Sequence, residues 1–367
     1  MNLRSPPPKA TTNHRPAGMH AIRSELFWNG AARAATMGIF VLLLLAALHY
    51  AQPVVMPVVL AFITGIVLTP LLVRARAIGI PYWLSALLVV GILIAALSYA
   101  IVLLAEPVSE WIQKAPQFGT ALREKLRFLD GPIAAFNSLR ESIMGRGKEG
   151  EAALNVDLYS VLVQPMLGVL TPALGQMIIY VATLLFFLAG RENIRRRFLS
   201  FWAGRKARLD AIRFLNDTET SITRYFATIT GINLALGLLL GAVAYLIGLP
   251  NPVVWAVLAF ILNFMPYIGP AVTILLLLGV GLMAFESLTQ ALAAPVFFFA
   301  ASVVEGEFIT PGIVGLRLAL SPLLVFLAVA FWTWFWGPFG ALLAVPLLII
   351  GIVALNHLFP TEGKLPD

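Results

Sequence analysis

The sequence predicts an all-α polytopic membrane protein with about eight membrane helical segments, broken or re-entrant elements in its C-terminal half and a helical extramembrane insert. Three observations carry that prediction. Of the 367 residues 60% are hydrophobic and only 12% charged, with a mean hydropathy of +0.90; a soluble domain carries about 25% charged residues. From Ala34 to Val73 there is no formal charge. From Tyr225 to Pro360 the only charged residues are Glu286, Glu305, Glu307 and Arg317, yet Asn, Pro and Gly cluster inside that apolar stretch.

Residues 1–33, rich in proline and with five basic residues against one acid, read as a disordered cytoplasmic tail. The charge-free run from Ala34 to Val73 would make a helix of about 60 Å, twice the bilayer core. Gln52 and Pro53 divide it into a hairpin, Ala34 to Tyr50 and Pro53 to Val73. After Arg74 and Arg76, Pro81 to Ala105 supplies a third span, with Pro81 at a helix start, where a missing N–H costs nothing. Residues 34–105 are therefore expected to hold three spans.

Residues 106–164 are expected to form a helical external insert. Within 106–157, seven basic residues face eight acids, while Val108, Trp111, Ile112, Ala115, Phe118, Leu122, Leu126 and Leu129 recur at helical spacing. A fourth span follows over 165–190. Residues 191–224 carry nine basic residues against four acids and read as a basic cytoplasmic helical loop, because positive charge near span ends stays inside. The same rule places the N-terminus in the cytoplasm and the insert outside. It also accounts for the net charge of +7 without nucleic acid, since "RENIRRR" beside a span suits topology and anionic lipid.

Residues 225–358 are expected to form a transport core, and 359–367 a C-terminal tail. In "NFMPYIGP" (263–270) and "GEFITPGIVG" (306–315) a polar or acidic residue precedes Phe, then Pro, then Gly. Non-helical backbone at membrane depth survives only where it is buried in protein or lines a watery cavity. Paired Gly/Pro interruptions are accordingly a sequence pointer to a transporter's binding region. Glu305 and Glu307 are expected to be its ionisable element, sharing one cavity if the turn around Gly306 is non-helical, with Arg317 as a neutralising partner. "FWTWFWGPF" reads as an interfacial aromatic belt between two last spans, Pro322 to Trp336 and Phe339 to Leu355. Gly237 and Gly241 read as a close-packing pair.

Chemistry narrows further by exclusion. Cysteine is absent, which removes disulfides, thiol nucleophiles and Cys-ligated metals. The four histidines form no HxxxH-type pair, so neither a metal nor another cofactor is expected. No HExxH motif or carboxylate pair beside a nucleophile marks an enzyme, and no GxxxxGK[ST] motif marks an ATP-driven pump. A scaffold would not need Glu305 and Glu307 in a membrane segment. A secondary transporter for a small solute or ion is the favoured class, with a non-transporting membrane scaffold as the alternative.

The blocks "RYFATITGINLALGLLLGAVAYLIGLPNPVVWAVLAFILNFMPYIGP", "VEGEFITPGIVGLRLALSP" and "FWTWFWGPFGALLAVPLL" resemble, in order and spacing, those of the autoinducer-2 exporter family. The resemblance implies a bacterial inner-membrane homo-oligomer, a pentamer, that exports small solutes such as the furanone signal autoinducer-2, with sodium(lithium)/proton antiport assigned to other members. Carried over by motif, it implies transport-site roles for Asn263, Pro266, Gly269 and Pro270, and for Glu305, Glu307, Pro311, Gly315 and Arg317, with Pro322 closing the second block. Gly312 and Leu316 stand where members often carry basic side chains.

Overall fold

The computed structural model describes the backbone of residues 18–125, 158–200, 204–310, 313 and 321–359, and the side chains of 32–114, 173–200, 204–310, 313 and 321–359. All regular structure among these residues is helical. The chain divides into two compact units, residues 1–52 and 53–367. Among the described residues the first unit consists mainly of helix α1 (Gly18–Tyr50). Its apolar part, Ala32–Tyr50, is long enough to cross a bilayer and exposes Met37, Phe40, Leu42 and Leu43, side chains suited to lipid.

In the second unit α2 (Gln52–Ala77) begins at the expected break. It keeps Pro70 inside the helix, and a proline lacks the N–H that would bond the carbonyl four residues back. The freed Ile66 carbonyl instead accepts a hydrogen bond from the Thr223 hydroxyl at 3.4 Å. Helices α2, α3 (Tyr82–Lys125) and α4 (Leu158–Ser200) share a core of Ala61, Leu72, Ala86, Val90, Leu184 and Leu188.

The expected boundary at Ala105 is not an element end. α3 runs through it, because its charges lie on one face and its apolar residues on another. Glu106, Glu110 and Lys114 are exposed at a spacing of four, with Glu110 and Lys114 paired at 3.6 Å. Trp111 on the other face is buried and stacks on Trp255 at 4.7 Å. The segment expected to form the extramembrane insert therefore begins inside a helix anchored to the core, and its residues 126–157 lie outside the described residues.

The basic segment 191–224 is likewise helical where described, ending α4 and opening α5 (Arg205–Leu246). Arg191 pairs with Glu219 at 2.5 Å and Arg195 bonds Asn216 at 2.5 Å, joining the two helices. Farther along α5, a Cβ on Gly237 would come within 2.5 Å of the Ala256 carbonyl oxygen, and one on Gly241 within 2.8 Å of the Ala256 Cβ. The small-residue pair thus lets two helices approach closely, as the sequence suggested.

Four further helices complete the described fold: α6 (Pro252–Leu262), α7 (Ile268–Ala284), α8 (Leu288–Val304) and α9 (Pro322–Leu358). Pro295 inside α8 leaves the Ala291 carbonyl without its helical donor. Gly281 of α7 packs onto that oxygen, where a Cβ would sit at 2.5 Å. Trp255, Leu258, Leu277, Val280, Ala294 and Phe298 fill the core of this half.

Candidate functional site

The opening break, residues 263–267, is a reversal of the chain. α6 has 11 residues, about 17 Å of helix, and cannot cross a hydrocarbon core of about 30 Å. After its C-cap at Asn263 the chain tightens: the Phe264 N–H bonds the Ile261 carbonyl, the Met265 N–H the Leu262 carbonyl at 2.9 Å, and the Ile268 N–H the Pro266 carbonyl at 2.7 Å. The last bond closes a γ-turn on Tyr267, whose φ of 64° and ψ of −48° lie in a rare and strained conformation. Pro266 and Pro270 supply no N–H here, and Gly269 meets the Leu262 carbonyl so closely that a Cβ would overlap it. α6 and α7 are therefore the arms of a helical hairpin.

A second hairpin lies within α9. Trp336 (φ −129°, ψ 16°) and Gly337 (φ 66°, ψ −150°) leave helical geometry, and Gly337 supplies the left-handed conformation that other residues avoid. Beyond the break Gly340 returns against the Trp332 carbonyl, with no room for a Cβ, and Val329 packs on Ala341 and Ala344. The expected spans divide at this place, and the aromatic motif expected to form an interfacial belt is a hairpin tip. The two hairpins touch: Met265 and Ile268 pack against the cluster of Val329, Ala341 and Ala344, and the Tyr267 ring meets Phe326 edge-on at 5.9 Å.

The first tip also rests on α5. Asn263 Nδ2 donates to Asn233 Oδ1 at 2.8 Å, and Phe264 stacks on Phe226 with centroids 6.5 Å apart. Asn233 is only 1% exposed, and its own Nδ2 has no hydrogen-bond partner among the described residues. At the second tip, buried Trp336 holds Nε1 equally unpartnered. Each tip thus has a buried N–H donor aimed at no protein acceptor among the described residues, and a buried orphan donor costs about 1–3 kcal/mol. Between Arg224 and Glu286 the sequence has no charged residue, and the side chains that meet at the first tip are neutral amide and aromatic groups.

The structure brings Asn263, Pro266, Gly269 and Pro270 together at one tip. Glu305 and Glu307 behave differently. The segment Glu305–Ile309 is a π-helical turn continuing α8, so the non-helical turn expected around Gly306 is absent, and residues two apart on a helical path diverge. Glu305 is half-buried and accepts a hydrogen bond from the Thr310 hydroxyl, whereas Glu307 is exposed. The two carboxylates do not share a cavity among the described residues. Glu305 is close enough to interact electrostatically with Tyr225 of α5, and single π-turns recur at functional sites. Pro311, Gly315 and Arg317 lie outside the described residues.

Sequence reasoning missed Asn233 and Trp336. Asn233 is one amide in a long apolar helix, and only its partner thirty residues later gives it meaning. Trp336 had a signal in "WGPFG", which repeats the aromatic, Pro and Gly elements of the first break.

Folded-back helical hairpins with unpaired polar donors at their tips, set in a multi-pass helical membrane protein, point to the class of membrane transport proteins. The chain belongs to the AI-2E transporter family: the model described as "AI-2E family transporter" matches residues 39–359. Among curated relatives, it is 26% identical over 331 residues to the AI-2 transport protein TqsA of Escherichia coli strain K12, covering 90% of this chain and 93% of that one. It is 27% identical to the putative transport protein YhhT of the same strain, over 83% of this chain and 84% of the relative. A putative transport protein of Haemophilus influenzae is 24% identical over 86% and 90% of the two chains. The resemblance read from the sequence is thereby established, and with it a membrane transport role.

Proposed function

We propose that the chain is a secondary transporter that exports a small, uncharged, oxygen-bearing solute across the bacterial inner membrane, with its N-terminus in the cytoplasm. The observation that carries this reading is the Asn233–Asn263 pair at the broken tip of the first hairpin, with Asn233 buried, Asn263 half-buried and an Asn233 donor unused. An amide pair flanked by Phe226 and Phe264 suits a compact ring whose oxygens accept hydrogen bonds and whose faces stack. A furanone such as autoinducer-2 has that chemistry, and the name of TqsA points the same way. The transport site in this reading comprises Asn233, Asn263, Pro266, Gly269, Pro270 and the Trp336 tip. Glu305, Glu307, Pro311, Gly315 and Arg317 form an accessory segment at the end of α8. Assembly as a homo-oligomer, a pentamer, is part of the same reading and follows from the family resemblance.

A second reading, sodium(lithium)/proton antiport, is favoured by one observation: Glu305 sits half-buried in a π-turn, with Thr310 and Tyr225 as polar neighbours. Inside-out vesicles separate the two. Vesicles containing the chain are expected to accumulate labelled autoinducer-2 above chain-free vesicles, with no sodium-driven proton movement. Proton movement on sodium addition without solute accumulation supports antiport, and solute uptake equal to that of chain-free vesicles contradicts the export reading.

A further inference from the structure

We propose that the groove between α2 and α5 is a binding site for an anionic phospholipid, with its headgroup phosphate held at the Arg224 end. A cavity of about 350 Å³ lies there, lined by Thr69 of α2 and by Glu219, Thr220, Thr223 and Arg224 of α5. Its charges do not cancel. The Glu219 carboxylate is held by Arg191 at 2.5 Å, which leaves the Arg224 guanidinium as a cation with no ion pair or hydrogen bond among the described residues. The hydroxyl protons of Thr69 and Thr223 are committed to the Gly65 and Ile66 carbonyls. Arg224 and Thr220 therefore supply the donors for an anion, and a guanidinium matches phosphate oxygens in geometry.

The groove's other end selects lipid over a soluble anion. Arg224 is the last charged residue before sixty-one uncharged positions ending at Glu286, so it stands where α5 passes from polar to apolar sequence. From there Ala227, Gly231, Leu234 and Leu238 recur at spacings of three and four on one exposed face, with Leu234 50% and Leu238 61% exposed. On α2 the matching position is Ile66, which lines the groove. A polar mouth opening onto an apolar strip of about 16 Å fits a phosphate joined to an acyl chain. A free phosphate would leave that strip unused. The site is separate from the hairpin tips, because Asn233 faces the buried side of α5, and it does not depend on the transport reading.

The test uses the full chain, which has no native cysteine, with Leu234→Cys carrying a fluorophore in nanodiscs of phosphatidylcholine. Brominated phosphatidylglycerol, added at a fixed mole fraction, is expected to quench about fivefold more effectively than brominated phosphatidylcholine, the preference one basic residue supplies at a membrane surface. Arg224→Gln should remove that preference, while Arg224→Lys keeps most of it. Arg208→Gln, an exposed base elsewhere on α5, should leave it intact. Equal quenching by the two lipids in the unsubstituted background overturns the proposal, as does an equal loss in Arg208→Gln, which would mean general surface attraction. Relief of quenching by excess inorganic phosphate at constant ionic strength also overturns it, in favour of a soluble-anion site.

Discussion

Asn233 and Asn263 separate what an amide does for stability from what it does for a solute. Removing one partner leaves the other buried and unpaired, whereas replacing both with apolar groups of similar shape restores a satisfied core. Asn263→Ala should therefore destabilise the protein by about 1–3 kcal/mol, read as a lowered midpoint in a thermal unfolding assay in detergent. The double variant Asn233→Leu with Asn263→Leu should unfold near the wild-type temperature yet transport at least about tenfold more slowly, the equivalent of one lost hydrogen bond of about 1.4 kcal/mol. Wild-type flux in the double variant would make the pair purely structural. Asn263 was legible in the sequence, because an amide beside Pro and Gly in an apolar run has few bland explanations. Asn233 was not, because burial and a partner thirty positions away leave no local trace. Glu307 shows the converse: its spacing from Glu305 suggested a pair, but a π-helical path turned it outward.

At the scale of elements, both hairpins depend on a glycine packed against a carbonyl of the opposing arm. Gly269 meets the Leu262 carbonyl and Gly340 the Trp332 carbonyl, and backbone oxygens cannot swing aside as a side-chain end can. Gly269→Ala and Gly340→Ala should each open a tip and cost about 3 kcal/mol, with transport falling in parallel. Gly91→Ala, where a Cβ meets nothing within 4 Å, should be neutral or slightly stabilising, because alanine is the better helix former. A thermal shift series on the three variants checks the ordering. The first break was readable because Asn, two prolines and a glycine converge in eight positions. The second was masked by its tryptophans, which suit a membrane interface equally well, and only Gly337 and the return of Gly340 show that the chain folds back. Proline placement carried more than kinks: Pro70 frees the Ile66 carbonyl that Thr223 then bonds, and Pro295 frees the Ala291 carbonyl against which Gly281 packs.

Across the whole molecule, charge distribution and hydropathy were enough to predict a polytopic helical membrane protein, because transfer of charge into a bilayer is costly at every position. They were not enough to find where helices end, since a helix can run between apolar and polar sequence and keep its backbone bonds, as α3 does beyond Ala105 and α5 does before Tyr225. Orientation is a separate expectation from the same charges. A single cysteine in the native cysteine-free background, Ser138→Cys, should be labelled by an impermeant maleimide from the periplasmic side, and labelling only from the cytoplasm would invert the topology. The central claim is that the broken tip at 263–267 faces a watery, solute-bearing path. Its most direct measurement is the reactivity of Asn263→Cys toward a small impermeant thiosulfonate in membranes, with Phe299→Cys, an exposed position on α8, as the lipid-facing reference. The account predicts that the thiol of the Asn263→Cys variant reacts readily and is protected by the transported solute, while that of Phe299→Cys stays inert; an Asn263→Cys thiol that reacts from neither side, or no faster than the reference, would contradict it.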